Sequence, residues 1–122
     1  MTRWTFTIPL DTPSQNKLYA SADHRWGRVQ YRKYRDIAEM VALSSKIPKA
    51  TGPRLVRWTR VLGPRQRYFD EMNFIGGLKP ACDGLVLAKL LVDDRPKYYR
   101  GEYDQDDTRR GEGPCLEVTI SE

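Results

Sequence analysis

The chain has 122 residues, 39% of them apolar and 30% charged, with a formal net charge of +5. That length supports a core without disulfides or zinc, and no run of about 18 apolar residues is present to form a spanning helix. The charge is uneven: residues 1–99 hold 18 Lys and Arg against 9 Asp and Glu, whereas residues 100–122 hold 3 against 7. A basic body of that kind suits a polyanion, most commonly nucleic acid.

In chain order, Trp4 to Ile8 alternates large and small side chains and predicts a strand that ends at Pro9. The N-terminus MTRWTFTIPL lacks a signal-peptide core, so a cytoplasmic protein is expected. Residues 10–28 are rich in turn formers and predict a long loop. From Tyr31 to Ile47, Tyr34, Ile37, Ala38 and Val41 recur at helical spacing, and Pro48 supplies a stop. Arg54 to Leu62 predicts a second strand, although its odd and even positions do not separate cleanly. Arg57 and Arg60 cannot both be deeply buried in it.

Past the segment YFDEMN, Gly76-Gly77 is expected to break the chain. Pro80 then fits the first turn of a helix running to about Leu91. Leu78, Ala81, Leu85 and Ala88 mark the buried stripe of that helix, and Asp83 falls roughly opposite it. Pro96–Tyr103 and Pro114–Ile120 predict a terminal hairpin around an acidic turn. The order strand, helix, strand, helix, hairpin predicts an α+β fold. It would be a small mixed β-sheet packed with two main helices, one domain over residues 1–122. Cys82 and Cys115 lie far apart without a CxxC partner, so both are expected to be reduced.

The chemistry is concentrated between positions 70 and 94, where Asp70, Glu71, Asn73, Lys79, Asp83, Asp93 and Asp94 occur. Carboxylates from different loops are what a hard cation such as Mg²⁺ takes. Such a metal activates water and stabilises charge on a phosphodiester, and a lysine at a helix start can hold the scissile phosphate. The residues by themselves equally allow a bland reading, in which these acids are solvated caps and turns around a helix.

The segment FDEMNFIGGLKPACDGLVLAKLLVDD resembles the central motif of RusA-type Holliday-junction resolvases, in a phage-like variant. Asp70 matches the first acid of that motif, Asn73 its asparagine and Lys79 its lysine, after a short insertion holding Gly76 and Gly77. Asp83-Gly84-Leu85 and Asp93-Asp94 match the remainder. Ile8-Pro9 with Pro13-Ser14-Gln15-Asn16, Tyr31 to Tyr34 and the last strand Leu116 to Ile120 resemble the family's flanks, so the likeness covers nearly the whole chain. It implies a homodimeric, Mg²⁺- or Mn²⁺-dependent endodeoxyribonuclease that cuts four-way DNA junctions during recombination and repair. In that reading Asp70, Lys79 and Asp94 are catalytic. Asp70 and Asp94 bind metal, with Glu71 and Asp83 as further ligands and Asn73 and Asp93 in support. The candidate DNA contacts are Arg25, Arg28, Arg32, Lys33, Arg65 and Arg67.

One position departs from the motif: Met72 stands where the family usually places a second metal-binding aspartate, and a thioether is a poor Mg²⁺ ligand. Glu71 from a shifted loop, or Asp83 from its helix, would have to complete the shell; otherwise the site is weakened. The competing readings are a branched-DNA-binding protein that kept the fold and lost catalysis, and a protein-interaction module using the acidic hairpin. Other features carry less. His24 has no zinc partner. Trp26 and Tyr31 suit either base stacking or core anchoring. Asp104, Asp106 and Asp107 read as a solvated turn rather than a calcium loop. Ser14 and Ser44-Ser45 lack a histidine in any recognisable arrangement.

Overall fold

A computed structural model describes residues 2–19 and 24–122. The His24 side chain, and the part of the predicted loop that spans residues 20–23, lie outside the described residues. Eight elements follow in order: β1 (Arg3–Ile8), α1 (Gln15–Tyr19), α2 (His24–Ser44), β2 (Arg54–Val61), α3 (Glu71–Gly77), α4 (Lys79–Leu87), β3 (Tyr99–Asp106) and β4 (Cys115–Ser121). The four strands form one mixed sheet in the order β1-β4-β2-β3, with β2 and β3 parallel and the other pairs antiparallel. This is the α+β arrangement expected, with α2 and α4 as the main helices.

The expected terminal hairpin is not formed. β3 and β4 follow each other in sequence, but β2 lies between them in the sheet. The α3–α4 segment instead carries the chain from β2 to its parallel neighbour β3, the crossover that a parallel pair requires. The connection after β3 is pinned from its side. Arg109 forms paired 2.7 Å bonds to Glu117 on β4 and a 3.0 Å bond to Asp106. Asp106 also accepts from Thr108 N and Oγ1, so it is an organised turn and not simply a solvated one.

These contacts make stability depend on acid. Thr108 foremost, then Arg109, holds the Asp106 carboxyl down at about 2, and Arg109 holds Glu117 below its ordinary value. Both folded values are depressed, so the stabilisation is present above the ordinary carboxylate range and is lost as pH falls through the folded values. Arg109→Gln is therefore expected to lower the urea midpoint at neutral pH and to flatten its further fall on acidification. Parallel acid profiles for the variant and the wild type would contradict this.

Along β2 the even positions face inward: Arg54, Val56, Trp58 and Arg60 are buried, while Arg57 is exposed. The mixed pattern seen in sequence arises because arginines occupy both ends of the buried row. Arg54 reaches Glu122 at 2.9 Å and the carbonyls of Pro48 and Leu90, and it stacks on Trp4. Arg60 reaches the Arg67 carbonyl and Gln105 and lies 3.7 Å over the Phe69 ring. Val56 and Trp58 join Ile8, Val118 and Ile120 under Ala38, Ala42, Phe74 and Leu85 of the helices to form the core. Both cysteines are free and buried, and burial pushes the Cys82 thiol up to about 12.

Two expected loops are partly helical. The stretch 10–28 holds α1 and the start of α2, so α2 begins seven residues before Tyr31. Ser14 Oγ accepts from Lys17 N at 3.0 Å, a side-chain cap on α1. YFDEMN leads directly into α3, so Asp70 is a helix cap and does not stand at the end of β2. Gly76 and Gly77 likewise do not break the chain but finish α3. A Cβ at Gly77 would collide with the Pro13 carbonyl, and one at Gly76 with the Gln15 side chain. The glycines are there so that the Pro13–Gln15 turn can press against α3.

Candidate active site

The site starts from the α3–α4 corner. Asp70 Oδ1 accepts from Asn73 N at 3.0 Å, capping α3. Asn73 in turn accepts from Asn16 N of α1 at 2.9 Å through Oδ1. Lys79 opens α4, and Asp83 lies one turn on, where residues four apart share a face. Their ion pair is 2.9 Å, and Lys79 Nζ also donates to Asp94 Oδ2 from the loop after α4. The second Asp83 oxygen accepts from the Tyr31 hydroxyl of α2. Tyr19, three residues after Asn16, feels the charges of Asp83 and Lys79.

The electrostatics follow from these contacts. Asp94 foremost, then Asp83, raises the Lys79 ammonium well above its ordinary value, and Lys79 holds Asp94 below the usual carboxylate range. Burial first, and the Asp83 carboxylate second, raise the Tyr31 hydroxyl, so Tyr31 stays protonated as a donor. All three members of the centre remain partly open to solvent: the side chains of Lys79, Asp83 and Asp94 are 47%, 30% and 39% exposed.

The residues singled out from sequence divide into groups. Lys79, Asp83 and Asp94 are brought together, whereas Asp70 and Asn73 are held to each other and to Asn16 of α1. Asp93 pairs instead with Arg95, through backbone and side chain. Glu71 and Met72 are exposed in the first turn of α3, Met72 at 79%. Glu71 therefore stands on a helix beside Met72 and not on a shifted loop.

Tyr31 neither stacks outward nor simply anchors the core: it bonds to Asp83, a contact that sequence reasoning misses. The two positions are 52 residues apart, so no local signal marks it. Trp26 is turned outward rather than anchored in the core, at 40% exposure.

Two carboxylates converging on one cationic point are, in kind, the oxygen donors that a hard divalent ion takes. Asp83 and Asp94 fit Mg²⁺ on that ground. Asp70 is committed to its cap, and among the described residues no three Asp, Glu, His or Cys side chains gather into a group able to hold a metal ion. The point between Asp83 and Asp94 is taken by the Lys79 ammonium.

The basic residues are exposed. Arg25, Arg28 and Arg32 fall within about 60° of one another around α2, and Lys33 is turned about 100° from Arg32. Arg65 and Arg67 lie in the segment between β2 and α3, where Arg67 lines a cleft with Lys17 and Tyr34. Among the described residues no helix is long and apolar enough to cross a membrane. No protein-family model and no curated protein matches the chain.

Proposed function

We propose that the protein is a divalent-metal-dependent endodeoxyribonuclease acting on branched DNA, four-way junctions foremost, in recombination or repair. The observation that carries this reading is the convergence of Asp83 and Asp94 on Lys79 at the head of α4. The RusA-type motif in the sequence adds to it, because Asp70, Asn73, Lys79, Asp83 and Asp94 are the residues that motif supplies. Asp94 and Asp83 would hold Mg²⁺ or Mn²⁺; Asp70 would add a carboxylate only by leaving the α3 cap that its Oδ1 now forms. The metal would polarise the phosphodiester and lower the pKa of its water.

Lys79 neutralises charge on the reacting phosphate, and Tyr31 orients Asp83 by donating to it. Asn73 ties α3 to α1, so that the Asp70 cap and the α4 corner keep one geometry. Arg25, Arg28 and Arg32 hold the DNA backbone, with Arg65 and Arg67 as a second basic patch. Affinity carried by phosphate contacts falls steeply with salt.

Lys79→Met tests the assignment of the lysine. Junction nicking is expected to fall by about 10²-fold or more, the scale for losing one preorganised charge donor, while junction affinity changes little. Nicking at the wild-type rate would remove Lys79 from the chemistry.

A second reading is favoured by one observation. Lys79 already neutralises the two carboxylates, and Met72 faces solvent where the motif has an acid. On that reading the chain binds branched DNA without cutting it, and tight, salt-sensitive binding with intact strands would be its signature.

A further inference from the structure

Strand β3 is an edge of the sheet, bonded on one side only, to β2. Its parallel register with β2 is unbroken from Tyr99 to Asp106, and it contains no proline. Arg54 N donates to the Tyr98 carbonyl and Leu62 N to the Asp106 carbonyl, so the even-numbered backbone groups here are the ones turned to β2. The odd-numbered groups point away from the sheet. Tyr99 N is taken up by the Arg95 carbonyl and Gln105 N by the Asp104 side chain. The N–H and C=O of Gly101 and Tyr103 have no partner among the described residues. Such a row is a template for a further strand.

A cleft of about 370 Å³ adjoins that edge, between β3 and the start of α3. Tyr68, Phe69, Phe74 and Tyr103 give it aromatic walls, and Glu71 completes the lining. Phe74 meets Tyr103 edge-on at 6.5 Å, and the Gln105 amide bonds both Phe69 N and the Phe69 carbonyl, at 2.9 and 2.8 Å. The walls are therefore held by contacts within the chain. On the opposite face of the sheet Glu102 and Asp104 are exposed, with Arg100 at the start of the strand. Arg57 reaches Asp104 at 3.5 Å, and Glu102 has no ion pair among the described residues.

We infer that the β3 edge takes an extended segment of another protein as a fifth strand, one in which apolar and cationic residues alternate. In a strand laid on Gly101 and Tyr103, one row of side chains falls over the aromatic cleft and the other beside Glu102 and Asp104. Apolar surface meets the first row and carboxylates meet the second. Nucleic acid is a poor occupant, because its phosphates would face Glu71, Glu102 and Asp104, whereas the exposed arginines of α2 offer cations.

The test follows amide hydrogen exchange by NMR on the wild-type protein, alone and with a synthetic peptide of about four Lys-Val repeats, the length of an ordinary strand. Alone, the Gly101 and Tyr103 amides are expected to exchange quickly, while those of Glu102 and Asp104, bonded to β2, exchange slowly. At saturation the peptide should slow Gly101 and Tyr103 by at least about tenfold. Two further peptides carry backbone N-methyl groups, one on its valines and the other on its lysines. One of them should lose the protection and the other keep it, because only alternate N–H groups of an added strand face β3. A Glu-Val peptide should give none. Glu102→Lys, checked for folding by circular dichroism, should bind the Lys-Val peptide about tenfold more weakly.

Slow exchange of Gly101 and Tyr103 without peptide would mean that a second copy already covers the edge, and would overturn the proposed contact. So would a Lys-Val peptide that protects neither amide, or N-methylated peptides that both protect or both fail. Equal protection by the Glu-Val peptide, or protection by a single-stranded oligonucleotide, would also overturn it, as would unchanged binding to Glu102→Lys. None of these results involves metal or nicking, so failure of the nuclease reading would leave the contact standing, and the reverse.

Discussion

Asp94→Asn is expected to lower metal-dependent nicking of a four-way junction by at least about 10³-fold while the protein still folds and binds the junction. The substitution removes a carboxylate from the proposed metal and leaves an amide of the same shape. It also removes the strongest hold on Lys79, whose ammonium is raised first by Asp94 and only then by Asp83. A ligand and the orientation of a charge donor are thus lost together, and loss of one such donor alone costs about 10²–10³. The folded state should be little affected, because Asp94 is 39% exposed and ion pairs that open to water contribute little to stability. Single-turnover nicking on a labelled junction, beside a gel-shift titration in chelator, separates the two effects. Equal loss of binding and nicking would mean that Asp94 holds DNA or structure and not the reacting centre.

The second large effect is structural. Gly84→Val is expected to destabilise the protein by about 1–3 kcal/mol, the usual cost of overpacking a filled contact. A Cβ at Gly84 would stand 2.6 Å from the Arg35 carbonyl, 2.8 Å from the Ala38 Cβ and 2.9 Å from Glu39 N. Backbone and a buried alanine cannot swing aside, so α4 would have to lift from α2. Gly84 is the neighbour of Asp83, and Tyr31 reaches Asp83 from α2 across the same contact. Lifting α4 therefore weakens the Tyr31 bond as well as the core. Urea unfolding should show a lower midpoint with an unchanged slope. A midpoint equal to that of the wild type would mean that the two helices approach less closely at Gly84.

Much of this was legible from residues alone, and the failures have particular causes. β1 and the buried stripe of α4 were readable because apolar residues there keep the period of their element, whereas in β2 the buried Arg54 and Arg60 blurred the alternation. β3 and β4 were readable as strands but not as non-neighbours, since nothing in either stretch records that β2 will lie between them. The short helices α1 and α3 were missed, although Ser14 and Asp70 each stand where a cap is expected, three residues before the N–H they accept from. In the site, Lys79, Asp83 and Asp94 stand on one helix and the loop that follows it, so a linear motif could report them. Tyr31 and Asn16 come from distant segments and reach the site only through packing.

The central claim is tested most directly with the wild-type protein on a labelled four-way junction and a matched linear duplex, in Mg²⁺, in Mn²⁺ and in chelator. Paired nicks in the junction alone, present with either metal and absent in chelator, are the expected result. Tight junction binding with every strand intact under all three conditions would contradict the nuclease assignment and leave a protein that holds branched DNA without cutting it.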